Sequence, residues 1–226
     1  MNRRLFATAA VALAATAASV VPASAQDEAE GGAGGQNQVT CPVVVHIGDD
    51  QTVGMGTDQT TRTYEHYLAA ERVIVNGAND RDYEGTIAAI NEVRGSLGED
   101  DDVCWVIDTG MHDAARVSRG VGEGAAARID AVLTAISGND PVFWVDPVTG
   151  DGAEAGYRDA SMVSWLETLA AASAVDPALA VLGWGSEVAD GGFKYMNDDG
   201  RTFTEAGYTD RADFIGWKIG TLVYGT

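Results

Sequence analysis

The chain has 226 residues, 46% of them hydrophobic, which is enough for one packed domain and too apolar for a tail or linker. Its 14 Lys and Arg against 34 Asp and Glu leave a formal charge of −20 at neutral pH. Such a field argues against binding to nucleic acid and against attachment to an anionic membrane surface, so a polyanion is a poor choice of main ligand.

Arg3 and Arg4 form a short basic stretch, residues 5–21 are mostly Ala, Val and Leu, and Ala23-Ser24-Ala25 has the small-x-small form of a signal-peptidase site. This pattern predicts a signal peptide over residues 1–25 and a protein that is secreted or extracytoplasmic after cleavage. No later stretch is long and apolar enough to span a bilayer, so stable membrane insertion is not expected. Residues 26–40 are acidic, Gly-rich and without an apolar period, and read as a flexible leader to a single domain over 41–226. Cys41 and Cys104 are the only cysteines. An even count in an exported chain predicts one disulfide between the entrances of two neighbouring strands, and two cysteines are too few for a cysteine zinc site.

Five short apolar runs read as buried strands: Val43 to His46, Val73 to Val75, Val103 to Ile107, Val142 to Val145 and Leu179 to Leu182. Apolar side chains recur at helical spacing over Thr63 to Glu71, Thr86 to Val93, Ala125 to Ile136, Ala160 to Ala172 and Ala206 to Leu222. The alternation predicts an α/β fold, a mostly parallel sheet with helices on both faces and right-handed crossovers. Ligands on such sheets sit beyond the carboxyl ends of the strands, which directs attention to Gly48-Asp49-Asp50, Asn76-Gly77, Thr109 to Asp113 and the loop before the last helix.

Generic motifs add little. Gly120-x-Gly122-x-Gly124 lacks the spacing and the preceding strand of a dinucleotide site. With only His46, His66 and His112, no HExxH zinc motif can be drawn, and His46 on a strand reads as a core or edge residue. No cofactor is expected. The five tryptophans read as core, with Trp184 the best exception for sugar stacking because it follows a strand. Acidic turns such as Asp80-Arg81-Asp82 and Glu99 to Asp102 read as solvated surface.

Val43 to Gly54, VVVHIGDDQTVG, resembles the first block of the SGNH (GDSL-like) hydrolase family, in which a strand runs into Gly-Asp-Ser. Gly48 and Asp49 match, and Asp50 stands at the position of the nucleophilic serine. In Val73 to Gly85, Gly77 is similar to the glycine of the second block, which offers a backbone donor to the oxyanion hole. Gly110-Met111-His112-Asp113 resembles the Gly-x-Asn-Asp of the third block, with His112 in place of the oxyanion-hole asparagine. Gly77-Ala78-Asn79-Asp80 fits that pattern literally but follows the second strand rather than the third. Asp199-Gly200-Arg201-Thr202-Phe203-Thr204 is similar to the last block, Asp-Gly-x-His-x-Thr, with Thr202 at the histidine position. The resemblance implies an α/β three-layer flavodoxin-like sandwich around a mostly parallel five-stranded sheet, and of the triad that it implies Asp199 alone is retained.

A Ser-His-Asp mechanism needs a hydroxyl nucleophile and an imidazole base held by a carboxylate. Asp50 offers no hydroxyl and Thr202 is no base at ordinary pH. The resemblance therefore implies a catalytically degenerate domain that binds a cell-envelope glycan or an acylated small molecule, with Gly48, Asp49, Asp50, Gly77, Gly110, His112, Asp113 and Asp199 lining the site. One alternative is a repurposed hydrolase or acyltransferase that uses Asp50, His112 and Asp199, with or without a divalent ion held by Asp49, Asp50, His112, Asp113 and Asp199. Against a metal, Asp49 can bind local amides and Asp113 can start a helix. The third alternative is a protein-interaction module of the envelope with an irrelevant cleft.

Overall fold

The computed structural model describes residues 40–136, 138–154, 156–157, 159–190 and 195–225. The expected signal peptide and residues 26–39 of the leader lie outside the described residues. In chain order the elements are β1 (Val43–Gly48), α1 (Asp50–Met55), α2 (Thr57–Leu68), β2 (Arg72–Gly77), α3 (Tyr83–Arg94), β3 (Val103–Asp108), α4 (Met111–Ser118), α5 (Ala125–Ile136), β4 (Val142–Val145), α6 (Asp159–Ser173), β5 (Leu179–Leu182), α7 (Trp184–Asp190) and α8 (Glu205–Tyr224).

The five strands pair in parallel in the order β2-β1-β3-β4-β5, the flavodoxin-like arrangement that the family resemblance implies. β1 and β3 are buried along their whole length, as central strands covered on both faces must be. Val43, Val45, Ile47, Trp105, Ile107 and Trp144 point to one face and pack under α3, α4, α5 and α6. Val44, Val106, Phe143, Val145 and Leu182 point to the other, under α1, α2, α7 and α8. The period of two along each strand thus builds two cores on one sheet. Among the described residues, no helix is long and apolar enough to cross a membrane.

Three helices escape the periodic reading: α1, α4 and α7, of six, eight and seven residues. α2 also corrects the expected Thr63 to Glu71, because it starts at Thr57 on a polar Thr-rich turn and stops at Leu68, where Ala69 takes a left-handed conformation with φ of 50°. Side-chain caps begin two of the longer helices. Asp82 accepts from the Gly85 N–H at 3.1 Å at the start of α3, and Thr204 accepts from the Gly207 N–H at 3.1 Å at the start of α8.

The disulfide forms as expected, between Cys41 and Cys104, across 63 residues of sequence. It ties the entrance of β1 to β3 and is worth about 2 to 4 kcal/mol. At the other end of the same strands, the Arg81 guanidinium donates to the carbonyl oxygens of Gly48 and Asn76 and to Asn76 Oδ1 at 2.7 Å, which pins the exits of β1 and β2. The turn around Arg81 is therefore more than solvated surface: Arg81 is half-buried, and Asp82 both caps α3 and pairs with Arg116.

Candidate functional site

In a 2-1-3 strand order the chain leaves β1 on one side and returns to β3 on the other, and the crevice opens between those two strand ends. Gly48 ends β1 in register with Gly77 of β2 and Asp108 of β3. A side chain at Gly48 would strike Thr52, with a Cβ only 1.7 Å from Thr52 Oγ1, so the first turn of α1 sits directly on the strand end. Asp49 caps α1, its carboxylate accepting from the Gln51 N–H at 3.0 Å. Asp50 then begins α1 and faces the crevice.

Across that crevice, β3 runs through Thr109 to Gly110, the residue before α4. Gly110 has φ of 133°, and a Cβ there would lie 2.6 Å from Trp165 Nε1, so only glycine fits. This tight turn puts His112 in the first turn of α4, opposite Asp50. Asp50 Oδ2 and His112 Nε2 are 2.5 Å apart. The same carboxylate oxygen accepts from the Asp80 N–H at 3.1 Å, and His112 Nδ1 lies 3.0 Å from the Tyr157 hydroxyl. The two altered positions therefore bind each other.

Electrostatics favours opposite charges on the two. Burial pushes the His112 imidazole down, but the bond to Asp50 and the nearby Asp49 and Asp50 carboxyls outweigh it, and its pKa is raised. Burial pushes Asp50 up, and the bonds from His112 and from the Asp80 amide overcome that and lower it. Both shifts favour the imidazolium–carboxylate form of the pair, in which Nε2–H serves Asp50 and Nδ1–H serves Tyr157. In that form no free lone pair on the ring is left to take a proton from a nucleophile.

The remaining site residues fall into two groups. Asp199 stays in its own turn: Oδ1 accepts from the Arg201 and Thr202 N–H groups at 2.9 Å each, and Oδ2 accepts from Thr202 Oγ1 at 2.7 Å. The Thr202 hydroxyl thus takes the carboxylate bond that an imidazole would take in a triad. Gly200, with φ of 61° and a virtual Cβ 2.4 Å from the Ala153 amide nitrogen, fits this turn against residues 150–153. Gln51 Nε2 reaches from α1 to the Val148 and Arg201 carbonyls at 3.1 and 3.3 Å, which seats the turn beside the crevice. Asp113, by contrast, is buried and bonds Arg128 at 2.7 Å, facing away from Asp50. Gly77 is exposed at the end of β2, close to Thr52 and Val53 of α1.

Sequence reasoning missed three residues at this site. Asp80 supplies the amide that holds Asp50, from a left-handed backbone with φ of 55° that aspartate tolerates better than most residues but that its place in a loop does not announce. Tyr157 is edge-on to His112, and the Arg201 guanidinium lies 4.2 Å from the Tyr157 ring centroid. Among the described residues, Asp50, Asp80 and His112 are the set that can offer a divalent ion one ligand atom each within 4.8 Å, and it differs from the set expected from sequence. An ion there would have to open the Asp50–His112 bond, and Arg201 Nη2 stands 4.0 Å from Asp80 Oδ1.

Beneath the crevice lies a buried polar network that the sequence reading did not assemble. Asp108 accepts from Arg211 and from Thr52 Oγ1, the latter at 2.7 Å. Since Thr52 spends its proton on Asp108, His46 Nε2–H donates to Thr52 Oγ1 at 3.0 Å and His46 Nδ1 accepts from the Tyr64 hydroxyl at 2.6 Å. His46 is thereby a core residue, as expected. Burial pushes Asp108 up, but Arg211 first and His46 after it hold it well below the ordinary carboxylate range. Asp49, fully buried, is pushed up to about 7 by its burial and by the Asp108 charge, against the pull of the Gln51 amide and of His112.

A carboxyl raised on folding from 3.8 to about 7 gives stability that is complete below its unfolded value and is lost as the pH climbs through the folded value. Asp49→Asn keeps the acceptor oxygen of the cap and removes the ionisation. Its stabilising effect is expected to be about 2 to 3 kcal/mol larger at pH 8 than at pH 5, with Tm raised by about 5 to 10 °C more at the higher pH. Equal melting shifts at the two pH values would show that Asp49 does not titrate in this window.

No family model and no curated protein matches the sequence. Solved structures do match. The lipase/acylhydrolase from Enterococcus faecalis superposes with a TM-score of 0.65 at 17% identity, over 80% of this chain and 96% of that one. The C-terminal catalytic domain of peptidoglycan O-acetyltransferase A from Streptococcus pneumoniae gives 0.60 at 14%, over 82% and 94%. An acetyl xylan esterase from Geobacillus stearothermophilus gives 0.59 at 12%, over 80% and 97%. The chain therefore has the fold of the GDSL-type acyl hydrolases, with an Asp50–His112 pair and a neighbouring Asp80 where the sequence resemblance places serine and asparagine.

Proposed function

We propose that this chain is exported and that its SGNH-like domain binds an acylated cell-envelope glycan in the crevice over Asp50 and His112 without hydrolysing it. The observation that carries this reading is the Asp50–His112 bond of 2.5 Å, because it consumes the place of the nucleophile and the place of the oxyanion donor in one closed ion pair. A cleft with that pair at its base keeps polar groups for recognition, namely Tyr157, Arg201 and the exposed Asp80 carboxylate, and lacks a base for acyl transfer. That two fold neighbours are named for peptidoglycan O-acetyl transfer and acetyl xylan esterase activity supports an acylated polysaccharide as the ligand class.

The test incubates the mature protein with a panel of acyl esters and acetylated glycans, with and without zinc, manganese, magnesium and calcium, beside Asp50→Ala and His112→Ala. The expected result is no turnover above the buffer rate, and acetylated glycan binding that weakens about tenfold in His112→Ala. Turnover abolished by either substitution would overturn the reading. If that turnover also needed a divalent ion, the Asp50, Asp80 and His112 set would be its binding site.

A further inference from the structure

In its imidazolium form His112 has two N–H groups, and both are spent: Nε2–H on Asp50 and Nδ1–H on the Tyr157 hydroxyl oxygen at 3.0 Å. A hydroxyl that accepts such a bond keeps its own proton for another acceptor. Among the described residues, the bond to His112 is the one hydrogen bond of the Tyr157 hydroxyl, so that proton has no protein acceptor there. The ring is held from two sides. It stands edge-on to His112, with centroids 5.6 Å apart, and the Arg201 guanidinium carbon lies 4.2 Å from its centroid. Arg201 is in turn anchored by Glu154 at 3.4 Å. Tyr157 thus offers a half-buried, oriented hydroxyl beside the Asp50–His112 pair.

We propose that the Tyr157 hydroxyl donates to the carbonyl oxygen of the ligand's O-acyl group and selects the ligand by it. This rests on the proposed binding of an acylated glycan in the crevice. His112 stands where the family resemblance places the oxyanion-hole asparagine, and with both N–H groups spent it has no donor left for a ligand. Its charge is passed on instead, because a hydroxyl that accepts from a cation is polarised and donates more strongly through its own O–H. A carbonyl oxygen is a pure acceptor and meets that donor without leaving a proton unpaired, which a sugar hydroxyl does not. The charge of His112 also sets the direction of the Tyr157 proton. Once Nδ1 loses its proton it becomes an acceptor and draws the Tyr157 O–H back to itself. The Asp50 and Asp49 carboxyls favour the protonated ring, Arg201 opposes it, and the exposed Asp80 carboxylate stands 3.9 Å from Nδ1. Binding therefore weakens as the pH rises through the His112 pKa, which lies above the ordinary 6.5.

Calorimetric titration tests this with soluble O-acetylated peptidoglycan fragments and with the same fragments after mild alkaline removal of the O-acetyl groups, in the natural protein and in Tyr157→Phe. The substitution keeps the ring that His112 and Arg201 contact and removes the hydroxyl alone. Saturable binding of the O-acetylated fragments is expected, about tenfold weaker in Tyr157→Phe, with equal and weaker binding of the stripped fragments by both proteins. The natural protein should also lose affinity for the O-acetylated fragments at alkaline pH, and the variant should not follow. An equal loss for both kinds of fragment in Tyr157→Phe would make the hydroxyl a structural support of His112 and overturn the proposal. Unchanged affinity of the variant for the O-acetylated fragments would overturn it while leaving glycan binding in the crevice intact. Binding of neither kind by the natural protein would overturn both.

Discussion

Arg211→Met is expected to lower the free energy of unfolding by about 3 to 5 kcal/mol, the cost of leaving a buried carboxylate without its counter-charge. Arg211 and Asp108 are 0% and 3% exposed at their side chains, and Asp108 also holds Thr52, through which His46 and Tyr64 are ordered. Two guanidinium nitrogens of Arg211, Nε and Nη1, have no hydrogen-bond partner among the described residues, so the arginine itself is incompletely solvated by them. The loss therefore comes chiefly from Asp108. The double variant Arg211→Met with Asp108→Asn is expected to recover more than half of it, because the charge is then gone. Urea denaturation of both variants decides the matter, and a single-variant loss below about 1 kcal/mol would show that water already reaches Asp108.

The second large effect is a gain. Replacing three side chains, Asp50→Ser, His112→Asn and Thr202→His, is expected to give ester hydrolysis at least about a hundredfold above the natural protein, with p-nitrophenyl acetate as the readout. The reason is that Asp199 Oδ2 already accepts a hydrogen bond at 2.7 Å from residue 202, so an imidazole there would be held by a carboxylate that is in place. Gln51 keeps that turn against α1 by its bond to the Arg201 carbonyl. Thr202→His alone should remain silent, since Asp50 has no proton to give up and no hydroxyl to attack with. A folded but inactive triple variant would mean that the turn and α1 are too far apart for a triad.

Much of this architecture is legible in the chain because it is local. β4, β5 and α5 occupy the very residues that their apolar pattern marks, and the two cysteines meet because each opens a strand that is central to the sheet. The short helices α1, α4 and α7 are not legible by period. They begin where a strand ends and the backbone turns, and α1 is made of Asp-Gln-Thr-Val-Gly-Met, whose only apolar residues are Val53 and Met55. The candidate site is half legible. Asp50 and His112 can be found from their place after β1 and β3, but Asp80, Tyr157 and Arg201 cannot, because loops bring them in. The pairing of Asp108 with Arg211 spans 103 residues and leaves no mark on either neighbourhood.

The two clasps on β1 have a consequence for how the molecule breathes. A covalent bond ties the entrance of the strand to β3 and the Arg81 guanidinium ties its exit to β2, so β1 cannot peel from β3 at its entrance or from β2 at its exit without breaking one of them. β4 and β5 carry no such clasp and are only four residues long. Partial opening therefore starts at the β5 edge, and the amides of β1 exchange with solvent only when the whole domain unfolds. The floor of the crevice is then the last part of the sheet to loosen, and what reaches it under native conditions meets a rigid surface.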